Sequence, residues 1–170
     1  MRTLNSPPRS NDDVTAVIPL RICHDDLAGE PTRALLALHL AGMQAGSPPG
    51  NVFALDLSGL QVPEITVWSV WRGSALAGVG ALKALNDGNG ELKSMRTHPD
   101  HLRTGVASFL LDTLVREAAI RGMKRLSLET GSGPAFEPAL ALYRARGFVN
   151  GPAFADYVAS PFNQFLHRAL

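Results

Sequence analysis

Glu91-Leu-Lys-Ser-Met-Arg-Thr97, His98-Pro-Asp-His101 and Leu102-Arg-Thr-Gly-Val-Ala-Ser108 form one unbroken stretch of the 170-residue chain in which a strand gives way to a helix. A strand over 90–97 ends at Thr97, and a short turn follows around Pro99. From about Thr104 the period changes. Val106, Leu110, Leu114 and Ala118 recur every fourth residue, with Phe109 and Leu111 beside them. That spacing predicts an amphipathic helix from Thr104 to Arg121, stopped at Gly122. A helix starting at a glycine presents unbonded N–H groups with the helix dipole behind them, which favours an anion. Gly105 and Ala107 are small enough to let a phosphate approach the backbone, and Arg103 adds a cation. Taken alone, the stretch also reads as an ordinary strand-to-helix turn.

Upstream, two strand signals precede it at 64–72 and 76–85. The first pair is joined by Gly73-Ser74, a two-residue hairpin signal, and Asn86-Asp-Gly-Asn89 turns the chain into 90–97. Trp68 and Trp71, three apart, face opposite sides of their strand. Earlier still, 14–22 reads as a strand with Pro19 at an edge. Pro31 opens a helix through Leu35, Leu36, His39 and Met43. Gly46-Ser-Pro-Pro-Gly50 ends it, and 52–60 reads as a second short helix. Downstream, 124–130 is a buried strand, 136–146 a helix closed by Gly147, and 162–167 a last strand. The order predicts an α+β domain with a mixed, mostly antiparallel sheet flanked by helices, in which strand–helix–strand 90–130 supplies a parallel pair. Residues 1–12 are polar and proline-bearing and read as a flexible tail; 13–170 read as one domain.

Composition narrows the function. The chain is 45% apolar, with 16 Lys and Arg against 15 Asp and Glu, a net charge of +1. That balance opposes nucleic-acid binding through a broad basic field. The N-terminus lacks the apolar core of a signal peptide. Residues 34–55 carry no charged side chain, yet His39, Gln44, Asn51 and Pro48-Pro49 break any membrane span. The single cysteine, Cys23, cannot form an internal disulfide, so a cytoplasmic, reducing setting is expected. Gly78-Val-Gly80 lacks the third glycine of a dinucleotide fingerprint. His98 and His101 are too few for a metal site, and none is expected.

The combined pattern resembles the GNAT acetyltransferase superfamily. The pattern is Met95-Arg-Thr-His-Pro, Leu102-Arg-Thr-Gly-Val-Ala, an apolar helix, Leu126-Ser-Leu-Glu-Thr130, and Ala139-Leu-Ala-Leu-Tyr143-Arg-Ala-Arg-Gly147-Phe148. Further details (Gly80-Ala-Leu-Lys83, Leu128-Glu-Thr-Gly-Ser132, Phe154-Ala-Asp-Tyr157) resemble a bacterial subgroup of small-molecule N-acetyltransferases. The chain departs from the superfamily pattern at two slots: Leu102 opens the pyrophosphate loop, with Arg103 one place later, and Phe136 stands where asparagine is common. The resemblance implies acetyl-CoA as co-substrate and a parallel strand pair splayed at its site. The pyrophosphate is then expected on Leu102, Arg103, Thr104, Gly105, Val106, Ala107 and Ser108. The pantetheine arm is expected to pair with the backbone of Met95, Arg96 and Thr97, where an N–H polarises the thioester carbonyl.

The resemblance also implies Tyr143 as the acid that protonates the leaving thiolate; without it, Tyr143 is a core tyrosine. Glu91 is the candidate base, matching a glutamate that some superfamily members carry there. Period-two alternation puts Glu91, Lys93, Met95 and Thr97 on one face, and a pairing of Lys93 with Glu91 opposes a base role. Glu129 and a water chain are the rivals. The expected function is N-acetylation of a primary amine of a small molecule by direct attack on the thioester. The alternatives are a protein lysine or N-terminal acceptor, or a silent CoA-binding sensor. The acceptor walls are expected at 31–62, which contains His39, and at 152–162, which contains Asp156 and Tyr157. Homodimer formation is left open.

Overall fold

The computed structural model describes residues 18–170; the tail expected at 1–12 and the start of the strand expected at 14–22 lie outside them. The elements in order are strand β1 (Leu20–Asp25), helices α1 (Glu30–Gly46) and α2 (Leu57–Leu60), strands β2 (Ile65–Arg72), β3 (Ala75–Ala84) and β4 (Gly90–Thr97), then helix α3 (Val106–Ile120), strand β5 (Arg125–Gly131), helix α4 (Glu137–Ala145), and strands β6 (Val149–Gly151) and β7 (Asn163–Ala169). They form one seven-stranded sheet in the order β1-β2-β3-β4-β5-β7-β6. Every neighbouring pair is antiparallel except β4 and β5, which run parallel.

Local chemistry explains most of these boundaries. Gly73 has φ of +61°, which only glycine adopts freely, and sits at the first central position of the β2–β3 turn. Glu30 and Pro31 open α1 with the fixed φ that suits a first helical turn. Asp56 caps α2 by accepting from the Gly59 N–H at 2.8 Å. The expected second helix over 52–60 shrinks to this single turn. β6 gives no sequence signal, being three exposed residues held only by pairing with β7.

Two apolar clusters cover the two faces of the sheet. On one, α3 and α4 press Leu110, Leu114, Leu140 and Phe148 onto Trp68, Leu82 and Leu126. Each fully buried leucine there is worth roughly 1.5–3 kcal/mol. On the other, α1 and α2 lay Leu35, Leu36 and Leu60 over Val67, Val79 and Ala81. Trp68 is thus core, while Trp71 packs half-buried on the opposite face and donates to Ser69 Oγ at 2.9 Å.

Two irregularities position the site. The parallel pairing of β4 with β5 covers only Gly90–Leu126 and Glu91–Ser127. Beyond Glu91 the strands diverge, leaving the β5-facing edge of β4 without a strand partner. The second is a bulge in β4. Lys93 pairs with Ala81 and Arg96 with Val79, so two residues, Ser94 and Met95, stand opposite Gly80 alone. Ser94 takes φ of +52°. An extra residue reverses the side-chain alternation beyond it. The expected single face of Glu91, Lys93, Met95 and Thr97 is therefore corrected: Glu91, Lys93 and Arg96 share the α1 face, whereas Met95 packs toward α3.

Candidate active site

A cavity of about 250 Å³ opens where β4 and β5 part. Its walls are β4 from Leu92 to Arg96, β5 from Leu128 to Thr130, one face of α4, and the C-terminal half of α1. The α1 wall continues that helix's buried stripe. Leu35 and Leu36 meet the sheet; His39, Gly42, Met43 and Gly46, further along the same face, meet open space. Gly42 and Gly46 keep the wall low. From α4 and its N-cap come Phe136, Ala139 and Tyr143. Phe136 packs edge-on against Phe162, with ring centroids 5.5 Å apart. A side chain at Gly131 would collide with both rings.

Tyr143 is 7% exposed and touches the cavity from the α4 side. Burial pushes its phenol up to about 12, so it stays protonated across the neutral range. Among the described residues its hydroxyl has no hydrogen-bond partner.

Glu91 lies 2% exposed on β4 and is not among the cavity-lining residues. Its Oε1 accepts from the Tyr157 hydroxyl at 2.5 Å and sits 3.3 Å from Lys93 Nζ. Lys93 also donates to Tyr157 Oη at 2.8 Å and to the Phe53 carbonyl at 3.1 Å. The expected Lys93–Glu91 pair is thus present, with Tyr157 inserted as a third member. Burial and the Glu91 carboxylate hold the Tyr157 phenol far above its ordinary value. Phe53, Phe154 and Phe165 pack around its ring, which ties the segment 152–162 to β4.

Glu129 points to the cavity from β5. Desolvation raises its pKa to about 7; Lys93 opposes the shift and Glu91 adds to it. His39 is driven the other way, to about 4, by burial first and then by Arg96 and Lys93. It is neutral at neutral pH.

The loop before α3 presents the expected backbone. Arg103 and Gly105 have φ of +59° and +84°, Gly105 caps α3 without a side-chain bond, and Leu102 through Gly105 are all exposed. The first α3 bond recorded at this end is Phe109 N–H to Gly105 O, at 3.0 Å, so the amides of Val106, Ala107 and Ser108 lack intrahelical acceptors. Arg72 braces the loop through the Thr104 carbonyl at 3.2 Å. His98 is used locally, its Nδ1 accepting from the Asp100 N–H at 3.2 Å. No cluster of three metal-ligating side chains occurs among the described residues, and no helix there is long and apolar enough to cross a membrane.

Two features of the cavity and one beside it were not legible in the sequence. Arg96 contributes its side chain as well as its backbone, Ser94 lines the wall at the bulge, and Tyr157 reaches Glu91. The first two follow from the bulge, which leaves no periodic signal; the Phe154-Ala-Asp-Tyr157 motif was a signal for the third.

Comparison with known proteins agrees with this geometry. The family model described as Acetyltransferase (GNAT) family matches residues 34–148. The chain is 48% identical over 146 residues to the uncharacterized N-acetyltransferase YedL of Escherichia coli, covering 86% of this chain and 92% of that one. It is 49% identical over 146 residues to the uncharacterized N-acetyltransferase YsnE of Bacillus subtilis, covering 86% and 97%. A Bacillus subtilis acetyltransferase solved in complex with CoA shares the fold, with a TM-score of 0.67 at 18% identity over 89% of this chain and 99% of that one.

Proposed function

The chain belongs to the acetyltransferase (GNAT) family and is an N-acetyltransferase; from that premise we propose that it moves the acetyl group of acetyl-CoA directly onto a primary amine of a small molecule. The observation that carries the reading is the cavity at the unpaired edge of β4, which Tyr143 and Glu129 both face. At about 250 Å³ it suits a compact acceptor better than a peptide segment. The lone thiol, Cys23, suits work in the cytoplasm.

In this reading the amides of 103–108 hold the pyrophosphate of acetyl-CoA, with Arg103 as a side-chain cation. The pantetheine arm adds to the free edge of β4 at Met95–Thr97, in the manner of an added strand. A solved acetyltransferase of the same fold is in complex with CoA, which supports CoA as the ligand. The thioester then lies between α4 and β5, where a β4 backbone N–H polarises its carbonyl.

Glu129 takes one proton from the bound ammonium, and a pKa near 7 matches that task. The neutral nitrogen attacks the carbonyl carbon. As the tetrahedral adduct collapses, the C–S bond breaks and Tyr143 gives its proton to the sulfur. The proton still on nitrogen leaves to solvent, Glu129 releases to the same solvent the proton it took, and Tyr143 is reprotonated from it. Glu91 is assigned as a positioning residue that holds Lys93 and Tyr157, since its carboxylate is committed to both.

Free thiol release, followed with acetyl-CoA and a panel of primary amines, tests the reading. Turnover with a primary amine but not with the matching alcohol is expected. Tight CoA binding without turnover on any amine would favour the sensor alternative.

A further inference from the structure

Resting on the acetyl-transfer reading above, we infer that the acceptor is amino-acid-like: its amine is carried on a molecule that also bears a carboxylate, and the Arg96 guanidinium on the α1 side of the cavity binds that carboxylate.

The ionisable side chains on the cavity walls are His39, Lys93, Arg96, Glu129 and Tyr143. Lys93 is answered by Glu91 at 3.3 Å. Burial keeps His39 neutral and Tyr143 protonated at neutral pH. Arg96 forms no ion pair among the described residues. Its Nε is shut off from solvent and has no hydrogen-bond partner there either. A guanidinium offers five donors in a planar fork, and a buried donor left unbonded is destabilising. The group therefore lacks an acceptor that the described residues do not supply.

The bulge at Ser94 and Met95 turns Arg96 onto the α1 face, where its Nη1 lies 3.9 Å from the site of a Gly42 Cβ. Glu129 faces the same cavity from β5. A cation and a proton-accepting carboxylate on different walls of one small cavity match the two ends of an amino acid. The guanidinium fork fits a carboxylate through two parallel N–H···O bonds. With His39 neutral, Lys93 taken and Glu129 matched to the acceptor's ammonium, the single guanidinium suits a carboxylate monoanion and falls short of a phosphate dianion.

The test uses the full chain with acetyl-CoA and a paired panel. The protein amino acids, β-alanine and 4-aminobutyrate stand beside their amides and decarboxylated amines, with aminoalkyl phosphates as a further arm. At least one carboxylate member is expected to exceed its uncharged counterpart by roughly 10–100-fold in kcat/KM, the worth of charge-assisted hydrogen bonds. In Arg96→Gln that ratio should fall toward one, mainly through KM. Calorimetry on CoA-loaded protein with the N-acetylated amino acids reads the same contact without turnover. Carboxylate binding without acetylation of any amine upholds this inference and defeats the transfer reading. Equal rates for carboxylates and their amides, preference for the phosphates, a ratio unchanged in Arg96→Gln, or neither binding nor turnover of any carboxylate would overturn it.

Discussion

The Tyr157 hydroxyl donates to Glu91 Oε1 across 66 positions of sequence, and the bond fastens the late segment 152–162 to the strand that borders the cavity. Lys93 contacts both partners, so a carboxylate, a phenol and an ammonium share one nearly dry site. Removal of one member leaves the others short of partners.

Tyr157→Phe keeps the ring and its aromatic neighbours but removes the donor to Glu91. A loss of about 1–3 kcal/mol is expected from the bond and from the polar group left unsatisfied. Urea unfolding of the variant checks this; an unchanged midpoint and slope would show that the triad contributes nothing to stability.

Tyr143→Phe should behave differently. No partner among the described residues takes its hydroxyl, so stability should change by less than about 0.5 kcal/mol. The chemical step should slow by about 10²-fold or more if the phenol protonates the thiolate. Single-turnover rate and melting temperature measured on one sample separate an acid from a core tyrosine. A destabilised, fully active protein would remove the acid role.

Glu129 carries the pH dependence. Its folded-state pKa, about 7, stands above its ordinary value of 4.5. The unfolded chain therefore ionises first, and this group's contribution to stability is fully present below the lower value and lost as pH rises through the upper one. Glu129→Gln should flatten that decline between pH 4.5 and 7 and remove the acidic limb of the rate profile near 7. A profile whose acidic limb survives in the variant would return the base role to Glu91 or to water.

Gly105→Glu tests the loop. A Cβ there meets nothing within 4 Å, so the fold has room, at an expected strain of roughly 1–3 kcal/mol for φ of +84°. A negative side chain beside the phosphate site should abolish CoA binding in calorimetry. A folded variant with wild-type affinity would sink the pyrophosphate assignment.

Much of the architecture was legible because it rests on local or periodic signals. The four-residue recurrence from Val106 to Ala118 gave α3, Gly73-Ser74 the hairpin, and the strand–helix–strand order the parallel pair. β6 carries no signal because three exposed residues form no pattern, and 52–56 reads as helical because its composition is apolar although its backbone is not regular. The cavity was half legible. Tyr143 and the glycine loop sit in recognisable motifs. The direction of Arg96 was not readable, because a single bulge residue reverses the alternation on which any facing argument depends. Glu91 and Glu129 were both visible, but only tertiary packing distinguishes a carboxylate bound to Tyr157 from one facing open space.

The central claim is acetyl transfer to an amine at this cavity, and isotopic labelling tests it most directly. Protein, acetyl-CoA labelled in its acetyl carbons, and a mixture of primary amines including amino acids would be incubated and resolved by mass spectrometry. Labelled acetyl on at least one amine, free thiol in equal amount, and sharply reduced transfer in Tyr143→Phe are expected. Acetyl-CoA bound stoichiometrically, with no labelled amine above the protein-free background, would contradict the claim.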